Sequence, residues 1–190
     1  MPNTFPKHNL ETAPEKSKPL LRQLLEQSGP NGFYSVTAES PETLTAYAML
    51  HKAFMASSFT NEEKTVIWQT INVENQCHFC VPAHTYMAKA MKIDKAVSDA
   101  LRNETALPTA RLEALRDFTL LMLRNHGNAS DAEISNFLSA GYTHQNMLEV
   151  VLGLAQKTIS NYINHLARTP IDKQYEKYAC LLYTSPSPRD

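Results

Sequence analysis

Residues 77–84 read Cys-His-Phe-Cys-Val-Pro-Ala-His, and this octapeptide concentrates the reactive chemistry of the chain. Cys77 and Cys80 stand three apart, a spacing compatible with a disulfide, and His84 lies four residues beyond Cys80, one helical turn along the same face. If a helix begins near Pro82 or one turn earlier, where a missing N–H costs nothing, both sulfurs fall at or just before its N-terminus. The partial positive charge there favours the thiolate, which is the reactive form of cysteine. His84 can exchange a proton with that sulfur or help to hold it ionised. A nucleophile, a base and a second thiol then occupy one turn and a half.

Three chemistries suit the octapeptide. In thiol redox catalysis, Cys80 attacks a peroxide, becomes a sulfenic acid and is resolved by Cys77 as a disulfide. A zinc site could recruit Cys77, Cys80 and His84 with Glu74 or His78, although the second ligand pair usual in structural zinc sites is absent. In the third, both cysteines are small buried residues without reactivity. A haem-attachment motif is excluded because Val81 follows Cys80.

The elements that must position these residues read as helices throughout. Lys18 to Gln27 is amphipathic and is closed by Gly29-Pro30. Ser40-Pro41-Glu42 supplies a cap, a first-turn proline and an early acid. Thr60 and Glu63 form a capping box that opens the helix of Val66, Ile67 and Trp68, and Ser130 with Glu133 forms a second, its helix ending at Gly141. Asp94 caps a short helix through Leu101, and Pro108 begins a longer one stopped by Gly127. The last, about Thr143 to Ala167, is long and apolar and stops before Pro170. No strand alternation is visible, so the fold class is all-α, a single helical domain. The apolar final helix has surface enough to face both the domain core and a sister subunit.

Composition narrows the function. The 190 residues carry 18 Lys+Arg against 19 Asp+Glu with no basic run, which leaves no electrostatic footprint for nucleic acid or an anionic membrane. Five glycines leave no phosphate-cradling loop or dinucleotide fingerprint. No apolar run approaches the ~20 residues of a membrane span, and the first residues lack a signal-peptide core, so the expected location is cytoplasmic.

The ends are read differently from the middle. Residues 1–17, polar and without periodicity, are expected to be a flexible tail. Residues 180–190 match, codon for codon, the translation of the transposon-end adapter used in short-read library preparation, and are taken as a non-native scar. The domain is then 18–179, with its core at 40–167 and the native C-terminus missing. Setting the scar aside removes one arginine and one aspartate, so the net charge of −1 stands. Of three cysteines, only the octapeptide pair remains.

Glu74-Asn75-Gln76-Cys77-His78-Phe79-Cys80-Val81-Pro82-Ala83-His84-Thr85 resembles the CxxC-x-x-x-H signature of the alkylhydroperoxidase D-like, or carboxymuconolactone decarboxylase-like, superfamily, in a branch with Glu-Asn-x-Cys at this point. The resemblance runs from about Ser40 through Ala167. It implies an all-α fold, homo-oligomers (often trimers or hexamers), and peroxidase or related disulfide chemistry with no cofactor and no metal. It also implies roles: Cys80 as the peroxide-reacting cysteine, Cys77 as its resolving and proton-donating partner, and His84 as the relay histidine. The expected partners are a hydroperoxide substrate and an external thiol reductant.

One position departs from the pattern. The glutamate that well-known peroxidases of the superfamily carry twelve residues before the first cysteine is here Thr65. Of the nearby acids, Glu63 is explained as half of a capping box, which leaves Glu74 as the candidate relay. Asn161, Asn164 and His165 form a polar i, i+3, i+4 stripe on an apolar helix, so Asn161 and His165 are candidates for the thiol pocket. Trp68, Phe79, Tyr86 and Met87 read as core or pocket wall, His51 as a core-edge residue and His126 as a cation at a helix C-terminus. Two other functions remain open: a redox-sensing or binding module that switches without turnover, and a lactone decarboxylase. Lactone decarboxylases of the superfamily typically lack paired cysteines.

Overall fold

The computed structural model describes residues 5–179; the adapter-like stretch 180–190 lies outside them. Among the described residues there are nine α-helices and no strand. They are α1 (Lys18–Ser28), α2 (Gly32–Thr37), α3 (Pro41–Met55), α4 (Asn61–Glu74), α5 (Cys80–Ala90), α6 (Lys95–Asn103), α7 (Ala110–Arg124), α8 (Asp131–Ser139) and α9 (His144–Ala167). A single 3-10 turn, Glu176–Tyr178, follows. None of these helices is long and apolar enough to cross a membrane.

The helix starts follow the side-chain chemistry. Ser40 accepts from the Thr43 N–H, and both expected capping boxes are complete, with Glu63 and Glu133 reaching back to the N–H groups of Thr60 and Ser130. A third box, Thr143 with Asn146, opens α9. Each such cap is worth about 1 kcal/mol. At α7 the cap is Thr109, one residue beyond the expected proline start.

Two segments differ from expectation. Helix α2 has six residues, too few to show a period, and exists because the Asn31 side chain accepts from the N–H groups of Phe33 and Tyr34. Residues 5–17 are packed where a flexible tail was expected. Asn9 Oδ1 accepts from Glu11 and Thr12, Ala13 is buried with Leu21, Leu24 and Leu44, and Ser17 Oγ donates to the Ala38 carbonyl at 2.6 Å. These are irregular turns, and irregular turns leave no periodicity in a sequence.

Helix α4 is the centre. Every residue from Glu63 to Asn72 is buried, and α5, α6, α7 and α9 all pack against it. A helix enclosed on all sides in this way is a core element. Val66, Ile67, Trp68 and Ile71 join Leu115, Phe118 and Phe137 in the main apolar cluster. A smaller cluster, including Phe33, Tyr47, Phe79 and Tyr175, surrounds the two cysteines. Helix α9 turns Val150, Gly153, Gln156, Lys157, Ser160, Asn161 and Asn164 inward and leaves Leu148, Val151, Tyr162 and Leu166 exposed.

At Gly153 of α9, side chains of α3 and α4 press against the helix backbone. A Cβ there would lie 2.8 Å from the Phe54 ring and 2.9 Å from Ile67 Cγ2, neither of which is a flexible chain end. Overpacking a core typically costs about 1–3 kcal/mol, and a branched residue adds to the Cβ clash. Gly153→Val is therefore expected to lower the urea midpoint by an amount equivalent to about 2 kcal/mol or more with an unchanged slope; a wild-type midpoint would show that this crossing is loose.

Candidate thiol site

The cysteines sit between α4 and α5. Gln76 takes a left-handed φ of 52°, the Cys77 N–H donates back to the Asn72 carbonyl at 2.9 Å, and the chain reverses into α5, whose first residue is Cys80. Pro82 is the third residue of α5, inside the first turn, where its missing N–H has no partner to lose. The two sulfurs lie at disulfide distance with their Cα atoms 5.2 Å apart, and the Cys80 N–H donates to Cys77 Sγ at 3.3 Å. Exposure separates the pair. Cys77 is fully buried, whereas Cys80, 3% exposed, lines a cavity of about 370 Å³.

Polar side chains converge on the Cys80 sulfur from α9. Asn161 Nδ2 donates to Cys80 Sγ at 3.1 Å and Asn164 Nδ2 at 3.4 Å. Asn161 is itself held from two sides: its Nδ2 also donates to Asn72 Oδ1 at 3.0 Å, and its Oδ1 accepts from Asn75 Nδ2 at 2.9 Å. Asn72 donates to Gln69 Oε1, and Gln69 Nε2 donates to the Val81 carbonyl and to Thr85 Oγ1. A continuous chain of amides thus joins α4, α5 and α9 and ends on the sulfur. N–H donors stabilise a thiolate over a thiol because the anion is the better acceptor.

The second buried group is a base pair of an unusual kind. Lys157 is fully enclosed, and its ammonium lies 2.9 Å from His84 Nε2. Among the described residues no carboxylate lines the cavity that Lys157, His84 and Cys80 share. Burial pulls the Lys157 pKa from 10.5 down to about 7. His84 is held well below its ordinary 6.5, first by burial and then by the charges of Lys157 and His51. A neutral imidazole whose Nε2 accepts from Lys157 satisfies both sets. Around them, His84 packs edge-on against Trp68, and Gln156 accepts from Trp68 Nε1 while donating to His51 Nδ1 and, at 3.4 Å, to the Tyr47 hydroxyl.

The structure sorts the sequence candidates. Cys77, Cys80, His84 and Asn161 come together. Glu74 does not join them: Arg124 of α7 holds its carboxylate in a two-pronged pair at 2.7 and 2.8 Å, and it is not part of the cavity lining. His165 is also corrected. It is exposed and lies parallel to His78 with ring centroids 6.5 Å apart, because position 165 falls beyond the inward stripe of α9. Thr65 donates to the Asn61 carbonyl and Glu63 keeps its cap while pairing with Arg111, so neither supplies an acid to the sulfur. Phe79, Tyr86 and Met87 line the cavity, and Trp68 is core. Among the described residues no group of three or more His, Cys, Asp or Glu side chains is arranged to hold a metal. The residue sequence reasoning missed is Lys157. It lies one turn before Asn161, and reading the polar stripe backwards from Asn161 rather than forwards to His165 would have found it.

This helical arrangement recurs in solved structures. An alkylhydroperoxidase AhpD core, an uncharacterized peroxidase-related protein from Ralstonia eutropha JMP134, superposes with a TM-score of 0.80 at 19% identity over 90% of this chain and 93% of its own. This chain has the alkylhydroperoxidase D-like fold. An uncharacterized peroxidase-related protein from Silicibacter sp. TM1040 gives 0.76 at 18% identity over 92% and 95% of the two chains. A cysteine-to-alanine variant of the debrominase Bmp8 in complex with 2,3,4-tribromopyrrole gives 0.71 at 16% identity over 93% and 96%. No protein-family model and no curated protein matches the chain by sequence. The alkylhydroperoxidase D-like fold expected from the octapeptide is thus shown by shape.

Two measurements follow from the buried groups. The unfolded chain keeps Lys157 protonated up to about pH 10.5, while the disulfide form releases that proton near pH 7. Stability rises with pH wherever the unfolded state binds more protons, so the disulfide form should gain up to about 1.4 kcal/mol per pH unit between pH 7 and 10. Above pH 10 the trend reverses, because Tyr47, pushed up to about 12, keeps its proton longer folded than unfolded. Urea titrations across this range check the slope, which Lys157→Met should flatten. In the reduced protein, Asn161→Ala should slow iodoacetamide alkylation of Cys80 severalfold, whereas Glu74→Gln should leave it within about twofold, since exposed pairs are worth little; the reverse ranking would place the sulfur's electrostatics at Glu74.

Proposed function

We propose that the chain is a peroxidase-like thiol oxidoreductase that reduces organic hydroperoxides through a Cys77/Cys80 dithiol–disulfide cycle. The observation that carries this reading is the asymmetry of the pair: Cys80 alone faces a cavity, with two buried amides donating to its sulfur, and Cys77 is sealed behind it at bonding distance. The Cys80 thiolate attacks the distal peroxide oxygen, the O–O bond breaks, and the alkoxide leaves as an alcohol after taking a proton relayed by His84. Cys77 then attacks the resulting sulfenic acid, expelling water and forming the disulfide. An external dithiol supplies two electrons and two protons to restore the pair. No metal or prosthetic group enters this cycle.

The proposal extends to assembly and location. The exposed apolar residues of α9 offer a face for a homo-oligomer, and the proposed protein is cytoplasmic, with a hydroperoxide and a thiol reductant as its partners. A switch that uses the same pair without turnover is separated from a catalyst by supplying peroxide and reductant in excess. Beside a panel of hydroperoxides, 2,3,4-tribromopyrrole is worth testing as a substrate of a different kind, since a debrominase of the same fold is seen with it. Cys80→Ser should abolish peroxide turnover, and Cys77→Ser should leave a sulfenic acid that dimedone traps. Full turnover by the Cys80 variant would end the proposal.

A further inference from the structure

The Lys157 ammonium lies at hydrogen-bond distance from His84, in a cavity without a carboxylate, one turn from the asparagine that binds the Cys80 sulfur. We propose that Lys157 is the counter-charge of the Cys80 thiolate and carries the proton that His84 passes to the leaving oxygen. This deepens the peroxidase reading and, for the proton-transfer step, rests on it.

Geometry gives the first reason. Lys157, Ser160, Asn161 and Asn164 share the inward face of α9, and positions three and four apart on a helix are neighbours about 5–6 Å apart. Two of the four already touch Cys80 Sγ, and Lys157, one turn before Asn161, lines the same cavity as that sulfur. The second reason is chemical. Burial and the charge of Lys157 hold His84 neutral, so a proton that it gives up has to be replaced by a donor behind it. Lys157 is bonded to its Nε2. The remaining titratable groups facing the cavity are Tyr34 from α2, Tyr47 and His51 from α3, Tyr86 from α5, and Tyr175; none is a carboxylate. With Thr65 at the position of the superfamily's usual glutamate and Glu74 held by Arg124, the lysine is the ionisable group left in place to do this work.

The cycle balances around it. In the disulfide form no thiolate is present, and the buried lysine is easily deprotonated. When the external dithiol reduces the pair, its two protons end on Cys77 as a thiol and on Lys157 as an ammonium, leaving Cys80 as a thiolate beside a cation. When the thiolate breaks the O–O bond, Lys157 returns its proton through His84 to the alkoxide. The alcohol leaves, Lys157 is neutral again, and condensation of the sulfenic acid with the Cys77 thiol releases water.

Thiolate absorbance at 240 nm tests this without peroxide. In the Cys77→Ser background, Cys80 should titrate below the ~8.5 of a free cysteine. Adding Lys157→Met should raise its pKa by about one unit or more, a tenfold loss of thiolate at a fixed pH, while Lys157→Arg should largely keep the low value. An unchanged Cys80 pKa in the methionine variant overturns the proposal. The unmutated chain gives a second readout that does not depend on the variants folding. Reduction of its disulfide with a phosphine at pH 8, corrected for the reductant's own protons, should produce one thiolate with almost no net proton release. Release of one proton per disulfide, or no thiolate, overturns it. A paired thiolate in a chain that turns over no peroxide rejects the peroxidase reading alone. Turnover by a chain whose thiolate ignores Lys157 rejects this inference alone.

Discussion

The face of α9 that runs from Gln156 to Asn164 carries amides, a hydroxyl and an ammonium into the interior, and the packing of α3, α4 and α5 answers to the need to satisfy them. A buried polar group left without a partner costs about 1–3 kcal/mol, and this face holds five such residues side by side. The solution is reciprocal. Gln69 and Asn72 on α4 are equally buried and equally polar, and with Asn161 of α9 they offset one another's cost through one chain of hydrogen bonds. That chain fixes the spacing of α4 and α9, and the octapeptide is threaded between them with the Cys80 sulfur as the terminal acceptor. The sulfur is a second acceptor for two amides that are already held, Asn161 by Asn72 and Asn164 by the Ser160 carbonyl.

The same packing imposes an electrostatic asymmetry on the two redox states. A cation enclosed without a carboxylate is costly, and the cost falls when a thiolate appears beside it. On the proposed pairing, redox state and protonation are coupled by burial rather than by a conformational change. That pairing would differ from the acid-based relay that the octapeptide resemblance implies. The carboxylates near the motif have other work: Glu63 caps α4 and pairs with Arg111, and Glu74 ties α4 to α7 through Arg124. Proteins with this fold include peroxidase-related chains and a debrominase, so shape alone leaves the reaction open, and the argument for one activity has to come from what surrounds the sulfur.

Much of this was legible in the residues. The limits of most helices followed from caps and periodicity because those signals are local: a Thr-x-x-Glu box works through hydrogen bonds three residues apart, and the chain writes them next to one another. The Cys77, Cys80 and His84 constellation was legible for the same reason, since all three lie within two turns. Asn161 was visible as a polar residue on an apolar helix. Helix α2 and the packed turns of residues 5–17 were not, being too short or too irregular to carry a period.

What only the tertiary structure decided is which distant residues meet. Lys157 and His84 are 73 positions apart, and Asn161 and Cys80 are 81 apart; no spacing rule connects them. The sequence could not say that Glu74 would turn to Arg124, that His165 would rotate out of the stripe, or that one cysteine would face a cavity while the other was sealed. By itself the sequence determined an all-α chain with a closely spaced pair of cysteines at a helix start, because backbone capping and helix-end electrostatics are local forces. The environment that sets the reactivity of those thiols is a sum over burial and charge from three helices, and it exists only once they have packed.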